Sequence, residues 1–254
     1  MSHAESFMRH IAIVTGHSRG LGLSLTRQLI EAGWQVLGIS RNPATTTETG
    51  DPGNRLQQVG LDLSSGTALL AWLSSDQLQR VLQNAQRAML INNAGRVAPV
   101  CPAGRSRAED LMQSVQLNVS APLALSDAFL ASTGQCKDRR ILHISSGAAR
   151  SPYPGWSTYC ATKAALDHHA RCVAAENHAG LRIESLAPGV IDTDMQSEIR
   201  RVDEDDFPLR QRFVDLKAQG ALTPADSAAA TILQHVLGDA FGRQTCSDVR
   251  ALSS

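Results

Sequence analysis

Neither charge is in excess in this sequence. Lysine plus arginine and aspartate plus glutamate stand at 24 each, so the formal net charge is zero. No overall field draws such a chain to nucleic acid or to an anionic membrane surface, and neither partner is expected. No run of about 18 apolar residues occurs, so no membrane span is expected either. The cysteines, Cys101, Cys136, Cys160, Cys172 and Cys246, are odd in number and form no C-x-x-C pair. That pattern excludes a disulfide framework and reads as free thiols in a reducing compartment. The opening MSHAESFMRH lacks the apolar core of a secretory leader, so a cytoplasmic protein is expected. Aromatic residues make up 4% of the chain and include only 2 tyrosines, so a tyrosine in a chemically suggestive setting stands out.

What is present is an ordinary globular composition, 43% hydrophobic and 19% charged, over 254 residues. Short β-branched runs alternate with helical periodicity along it. HIAIVTG (10–16), QVLGIS (35–40), LQQVGLDL (56–63), AMLINNAG (88–95), RRILHISS (139–146) and LRIESLAPG (181–189) read as strands. Helices are expected over 21–33, 67–83, 107–130 and 157–179, with a polar loop at 41–55 and a short last strand near 244–249. Such alternation predicts an α/β fold, a doubly wound parallel sheet of about seven strands with helices on both faces. No repeat, linker or low-complexity tract divides the chain, so 1–254 is read as one domain. Residues 190–220 interrupt the rhythm after a strand's C-terminal end, where active-site lids occur, and are read as a lid. The acidic run 203–206 within it reads as a solvated face or a helix N-terminus.

The first strand runs into TGHSRGLG, with Gly16, Gly20 and Gly22 spaced for a tight turn, a close backbone approach to a pyrophosphate, and helix–strand packing. The second strand ends in ISRN, where an acid would meet free ribose hydroxyls; Ser40 and Arg41 stand there instead. Arg41, with Arg19 in the glycine loop, favours a 2′-phosphate and therefore NADP(H) over NAD. His17 admits two readings, one facing phosphate and one merely fitting the turn.

In STYCATK, Tyr159 and Lys163 are four apart and share a helix face. A phenol titrates near 10, too high for ready proton exchange at neutral pH. An ammonium about 4 Å away at an effective dielectric of about 20 contributes roughly 4 kcal/mol, about three pH units downward. The expectation is a phenol tuned by its neighbour.

TGHSRGLG, INNAG, ISS, YCATK and APGVIDTDM, taken together and in this order, resemble the short-chain dehydrogenase/reductase family over nearly the whole chain. GWSTYCATKAALD and LAPGVIDTDMQ are most similar to its sepiapterin reductase and benzil reductase branch. The resemblance implies a catalytic tetrad of Asn118, Ser146, Tyr159 and Lys163, with Ser145 as the neighbouring alternative to Ser146. Tyr159 would give the proton, Ser146 would hold the carbonyl oxygen, Lys163 would also bind the ribose, and Asn118 would place a water. It also implies cofactor contacts from Ser18 and Leu21 in the glycine loop and from Asp62 and Leu63 after the third strand. Asn93, Ala94 and Gly95 would wall the adenosine ribose, a bracing role for the asparagines being the other reading. Pro188, Gly189, Val190 and Thr193 would meet the nicotinamide side. Tyr153 and Trp156 are candidates for an apolar substrate wall or for core packing, and Asp248 for a substrate contact near a C-terminus that departs from the family's glycine-rich ending. No H-x-x-x-H or HExxH spacing accompanies Asp167–His169, so no metal is expected. Cys160 reads as a packed thiol.

The reading is an NADPH-dependent carbonyl reductase acting on a small-molecule ketone or diketone, pterin-like substrates included. By the same resemblance a homodimer or homotetramer is expected. An NAD(P)-linked alcohol dehydrogenase working oxidatively and a catalytically idle dinucleotide sensor are the alternatives.

Overall fold

Ile11, Ala12, Ile13 and Val14 are all buried, and so are Ala88, Met89, Leu90 and Ile91. A strand apolar on both sides belongs inside a sheet covered on both faces. The computed structural model describes residues 9–51 and 54–252. Residues 1–8, most of the stretch read for a leader, and 52–53 of the expected loop lie outside the described residues. The elements are β1 (His10–Thr15), α1 (Gly20–Glu31), β2 (Gln35–Ser40), α2 (Thr46–Thr49), β3 (Leu56–Gly60), α3 (Gly66–Leu73), α4 (Gln77–Leu82) and β4 (Arg87–Asn92). They continue with α5 (Ala108–Val115), a π turn (Gln116–Ser120), α6 (Ala121–Ser132), β5 (Asp138–Ile144), a 3-10 turn (Gly147–Ala149), α7 (Ser157–Ala175) and β6 (Leu181–Ala187). Last come α8 (Asp194–Arg201), α9 (Arg210–Ala218), α10 (Ala225–Leu237) and β7 (Cys246–Asp248), with a closing 3-10 turn (Val249–Ala251).

All pairings are parallel, in the order β3-β2-β1-β4-β5-β6-β7. Alternate side chains face opposite layers: Ile11 and Ile13 meet Leu125, Phe129 and Ala170, whereas Ala12 and Val14 meet Leu25, Leu29, Ile232 and Val236. The chain winds outward from β1 to β3, then returns beside β1 as β4 and winds the other way. A crevice therefore opens beyond the C-terminal ends of β1 and β4, where open α/β sheets bind ligands.

The expected helix 67–83 is two, because the Ser74 and Ser75 hydroxyls donate back to Leu70 O and Trp72 O and end α3. The expected helix 107–130 is interrupted by the π turn, whose extra residue places Asn118 inward, 1% exposed. One helical turn, α2, stands in the loop expected at 41–55. The segment 190–220 holds α8 and α9, and its base is pinned by the Thr223 N–H donating to Val190 O and the Asp192 N–H to Thr223 O. No helix among the described residues is long and apolar enough to cross a membrane.

One buried charge ties the C-terminal edge together. Asp167 on α7 is 2% exposed. Its carboxylate accepts from Ser145 Oγ at 2.6 Å, Ser185 Oγ at 2.7 Å and Arg150 Nε at 3.1 Å. Those partners come from the end of β5, from β6 and from the 3-10 turn. Removing one member of such a network leaves its buried partners unmatched. Asp167→Ala is expected to lower the unfolding free energy by about 3–5 kcal/mol in urea denaturation, and a loss below about 1 kcal/mol contradicts this account.

Candidate active site

The turn after β1 is built for close approach. Gly16 has φ 67°, and a Cβ on it would lie 3.0 Å from Ala94 Cα. A Cβ on Gly22 would lie 2.0 Å from Gly16 O, so only glycine fits. Arg19 occupies the N-cap of α1 without a side-chain cap, and the first turn has no acid. The leading N–H groups of a twelve-residue helix thus face the crevice as an anion site, beside Ser18, Gly20 and Leu21. These donors and glycines fit the pyrophosphate of a dinucleotide. Asn93 braces this turn: its Nδ2 donates to Thr15 O at 2.9 Å, and Thr15 Oγ1 accepts from the Asn93 and Ala94 N–H groups. Asn93 thus braces the turn while also lining the crevice wall together with Ala94 and Gly95.

Beyond the ends of β2 and β3, Arg41 follows β2 and Asp62 and Leu63 follow β3, all lining the same crevice. Asp62 accepts from Ser64 Oγ at 2.7 Å and Ser64 N at 2.9 Å. These bonds, the hydroxyl first and with help from Arg41, hold its carboxyl below the usual range. His17 does not face the anion site. It is fully buried, and its Nε2 lies 2.6 Å from Gln58 Oε1.

At the other end, β5 delivers two serines. Ser145 turns into the Asp167 network, which leaves Ser146 beside Tyr159. Ser146 caps the 3-10 turn, its Oγ accepting from Ala148 N at 3.2 Å. Tyr159 lies in the first turn of α7 and Lys163 one turn on, 7% and 5% exposed. Lys163 Nζ donates to Ile144 O at 2.7 Å and stands 5.8 Å from the Tyr159 ring centroid. The ammonium is pushed down to about 8 by burial, with the Asp167 charge opposing. Tyr159 moves against expectation. Burial pushes its phenol up to about 12, and the Ser146 hydrogen bond only partly offsets this. The lysine's ammonium is turned to a carbonyl and carries its own desolvation, so burial outweighs the neighbouring cation.

Asn118 stands one layer behind the crevice. Its Nδ2 donates to Arg96 O at 2.8 Å and Thr162 Oγ1 at 3.2 Å, and its Oδ1 accepts from Arg96 N at 3.0 Å. Of the residues expected for the tetrad and for the cofactor and substrate contacts it is the one that does not line the crevice. Pro188, Gly189, Val190 and Thr193 form the wall after β6. A Cβ on Gly20 would come within 3.2 Å of Thr193 Cγ2, and Arg19 pairs with Asp194 at 3.1 Å, so the glycine loop and the start of α8 touch.

The far end is aromatic. Trp156 stacks on Phe207 with centroids 4.6 Å apart, meets Tyr159 edge-on, and contacts Tyr153 and Phe213. Core packing and crevice wall are here the same thing. Asp248 lines this end too, but Arg250 Nε and Nη2 occupy its carboxylate at 2.8 and 2.6 Å. The crevice totals about 1120 Å³, above the range of pockets for small ligands alone and enough for a dinucleotide with a small substrate. Met195, Ile199, Phe213 and Leu216 complete this end from α8 and α9. Sequence reading passed over them, although their i,i+4 and i,i+3 spacing was a usable signal. The acidic run is a solvated turn, save Asp206, which pairs with Arg105 at 2.8 Å. Cys160 is packed, its thiol 3.8 Å from Ser151 O.

Comparison with known proteins agrees with this geometry. A family model described as short chain dehydrogenase matches residues 10–204. A benzil reductase ((S)-benzoin forming) from Bacillus cereus is 36% identical over 231 residues, spanning 89% of this chain and 92% of its own. A sepiapterin reductase from Xenopus laevis is 32% identical over 246 residues, spanning 91% and 92%. A solved short-chain dehydrogenase/reductase from Burkholderia vietnamiensis shares 40% identity, covers 96% of this chain and 98% of its own, and superposes with a TM-score of 0.70. On sequence, fold and site together, the chain belongs to the short-chain dehydrogenase/reductase family of oxidoreductases.

Proposed function

We propose that the chain is an NADPH-dependent carbonyl reductase that reduces a small ketone or vicinal diketone. The observation that carries this reading is the meeting of Ser146, Tyr159 and Lys163 in a crevice that also presents an uncapped helix N-terminus and two arginines. Relatives named for benzil, a vicinal diketone, and for sepiapterin support a flat, oxidised substrate against the Tyr153 and Trp156 wall. Arg19 and Arg41 would take the 2′-phosphate, the α1 N-terminus with Gly16, Ser18 and Gly22 the pyrophosphate, and Asp62 the adenine side. Ala94, Gly95 and Lys163 would meet the ribose hydroxyls, and Pro188 to Thr193 the nicotinamide side. Bound NADPH supplies a hydride to the carbonyl carbon.

The chain's own groups handle the oxygen. Ser146 Oγ donates a hydrogen bond that orients it and stabilises its growing negative charge. Tyr159, kept protonated through neutrality by burial, gives the phenolic proton to that oxygen as the alcohol forms. The Lys163 ammonium stabilises the phenolate left behind, and Asn118 fixes the Gly95–Arg96 backbone beside it. The α8–α9 segment acts as the lid over the aromatic end. Met112 and Val115 on α5 are 73% and 43% exposed, an apolar face that supports a homodimer or homotetramer.

In an assay of NADPH oxidation over vicinal diketones, aldehydes and pterins, a diketone or pterin is expected to drive turnover. Tyr159→Phe is expected to reduce it by about 10²–10⁴-fold. Absence of turnover with every carbonyl, or full rate in the Phe variant, contradicts the proposal.

A pH series tests the electrostatics. Lys163 titrates at about 8 when folded and near 10.5 when unfolded. Between those limits the unfolded chain binds more protons, so stability rises with pH there. The unfolding free energy of the parent minus that of Lys163→Met is therefore expected to climb by up to about 3 kcal/mol from pH 8 to 10.5. A flat or falling difference contradicts it.

A further inference from the structure

His17 is an unusual residue to bury completely within a phosphate-binding turn, and Gly38 explains how it fits. A Cβ on Gly38 would lie 2.4 Å from His17 Cγ and Cδ2, so the imidazole packs directly over the bare β2 backbone. Strand register sets Gln58 of β3 opposite Gly38. From there its side chain reaches three groups. Oε1 lies 2.6 Å from His17 Nε2 and accepts from the Ala44 N–H at 2.8 Å, while Nε2 donates to Ala44 O at 3.0 Å.

Ala44 fixes the orientation of the Gln58 amide, since its N–H must meet the oxygen and its C=O the nitrogen. It follows that His17 Nε2 carries the proton and donates. His17 Nδ1 is then a bare acceptor, buried and without a partner among the described residues. An unmatched buried acceptor has a free-energy cost, and the turn accepts it to hold this geometry.

The two loops joined in this way are the ones that carry the guanidinium groups. His17 lies two residues before Arg19, and Ala44 three after Arg41. The Arg41 guanidinium makes no hydrogen bond or ion pair among the described residues, Arg19 pairs with Asp194 at 3.1 Å, and both arginines line the crevice. Ser40 Oγ donates to Asn42 O and tightens the same turn. We propose that His17 and Gln58 act as a clamp that positions the Arg19 and Arg41 loops for a 2′-phosphate and thereby sets the choice of NADPH over NADH. The proposal rests on the NADPH reading above. His17 and Gln58 are positioning residues, acting through the loops. The clamp makes no bond to Asp62 or to the Tyr159 end. The glycine turn that holds His17 also serves the pyrophosphate common to both cofactors, so loosening it is felt by NADH too, whereas the loss of arginine placement falls on NADPH alone.

The test is direct binding, by calorimetry, of NADPH, NADH and 2′,5′-ADP to the parent, Gln58→Met and His17→Phe. Both replacements keep the side-chain bulk and delete the clamp's hydrogen bonds, and melting curves establish that each variant folds. Dissociation constants for NADPH and 2′,5′-ADP are expected to rise about tenfold more than that for NADH in either variant. A general scaffold would weaken both cofactors alike, and that result overturns the clamp. So does an unchanged NADPH-to-NADH ratio in both variants of a parent that prefers NADPH. A parent that binds the two cofactors equally overturns the NADPH reading itself.

Discussion

The Lys163 ammonium, 5% exposed and bonded to the Ile144 carbonyl, is the interaction on which the rest of the site depends. It fastens α7 to the C-terminal end of β5 and, with the Asp167–Ser145 bond one turn on, brings Tyr159 beside Ser146. Burying a cation is unfavourable unless the surroundings answer its charge. Here a carbonyl dipole and the Asp167 carboxylate one turn on answer it, and Asp167 in turn holds Ser145 and Ser185. Chemistry and fold are thus stabilised by the same few groups.

This arrangement explains why the phenol sits high. Tyr159 is shielded by Trp156 and the aromatic cluster behind it, and a shielded hydroxyl resists losing its proton. A donor in a reduction needs its proton at the outset, so burial favours the resting state of that direction. In the proposed reaction the lysine's charge would become useful once the phenolate begins to form.

Much of this was legible in the sequence because the signals were local. The β-branched runs gave the strands, and the glycine spacing gave the turn at Gly16. The tyrosine–lysine pair needed helical geometry together with the order of the surrounding motifs, and the resemblance's spacing to Tyr159 pointed to Ser146 over Ser145. The Asp167 network, which explains that choice, joins groups far apart in the chain. Signals that depend on distant partners were lost for the same reason. His17 reads as a loop residue until Gly38 and Gln58 are beside it, and the π turn that carries Asn118 leaves no mark in the apolar periodicity. The sign of the Tyr159 shift was misjudged because the sequence shows the neighbouring charge but not how much water burial removes.

The central claim is that the protein itself holds Lys163 as a desolvated cation poised near neutrality. The chain's lysines are Lys137, Lys163 and Lys217, so each is resolvable by NMR of the side-chain amino group in protein carrying ¹³C-labelled lysine. Titration of the cofactor-free chain is predicted to show Lys163 with a midpoint at about 8. A midpoint near the ordinary 10.5 would mean that the ammonium is solvated and that this account of the site is wrong.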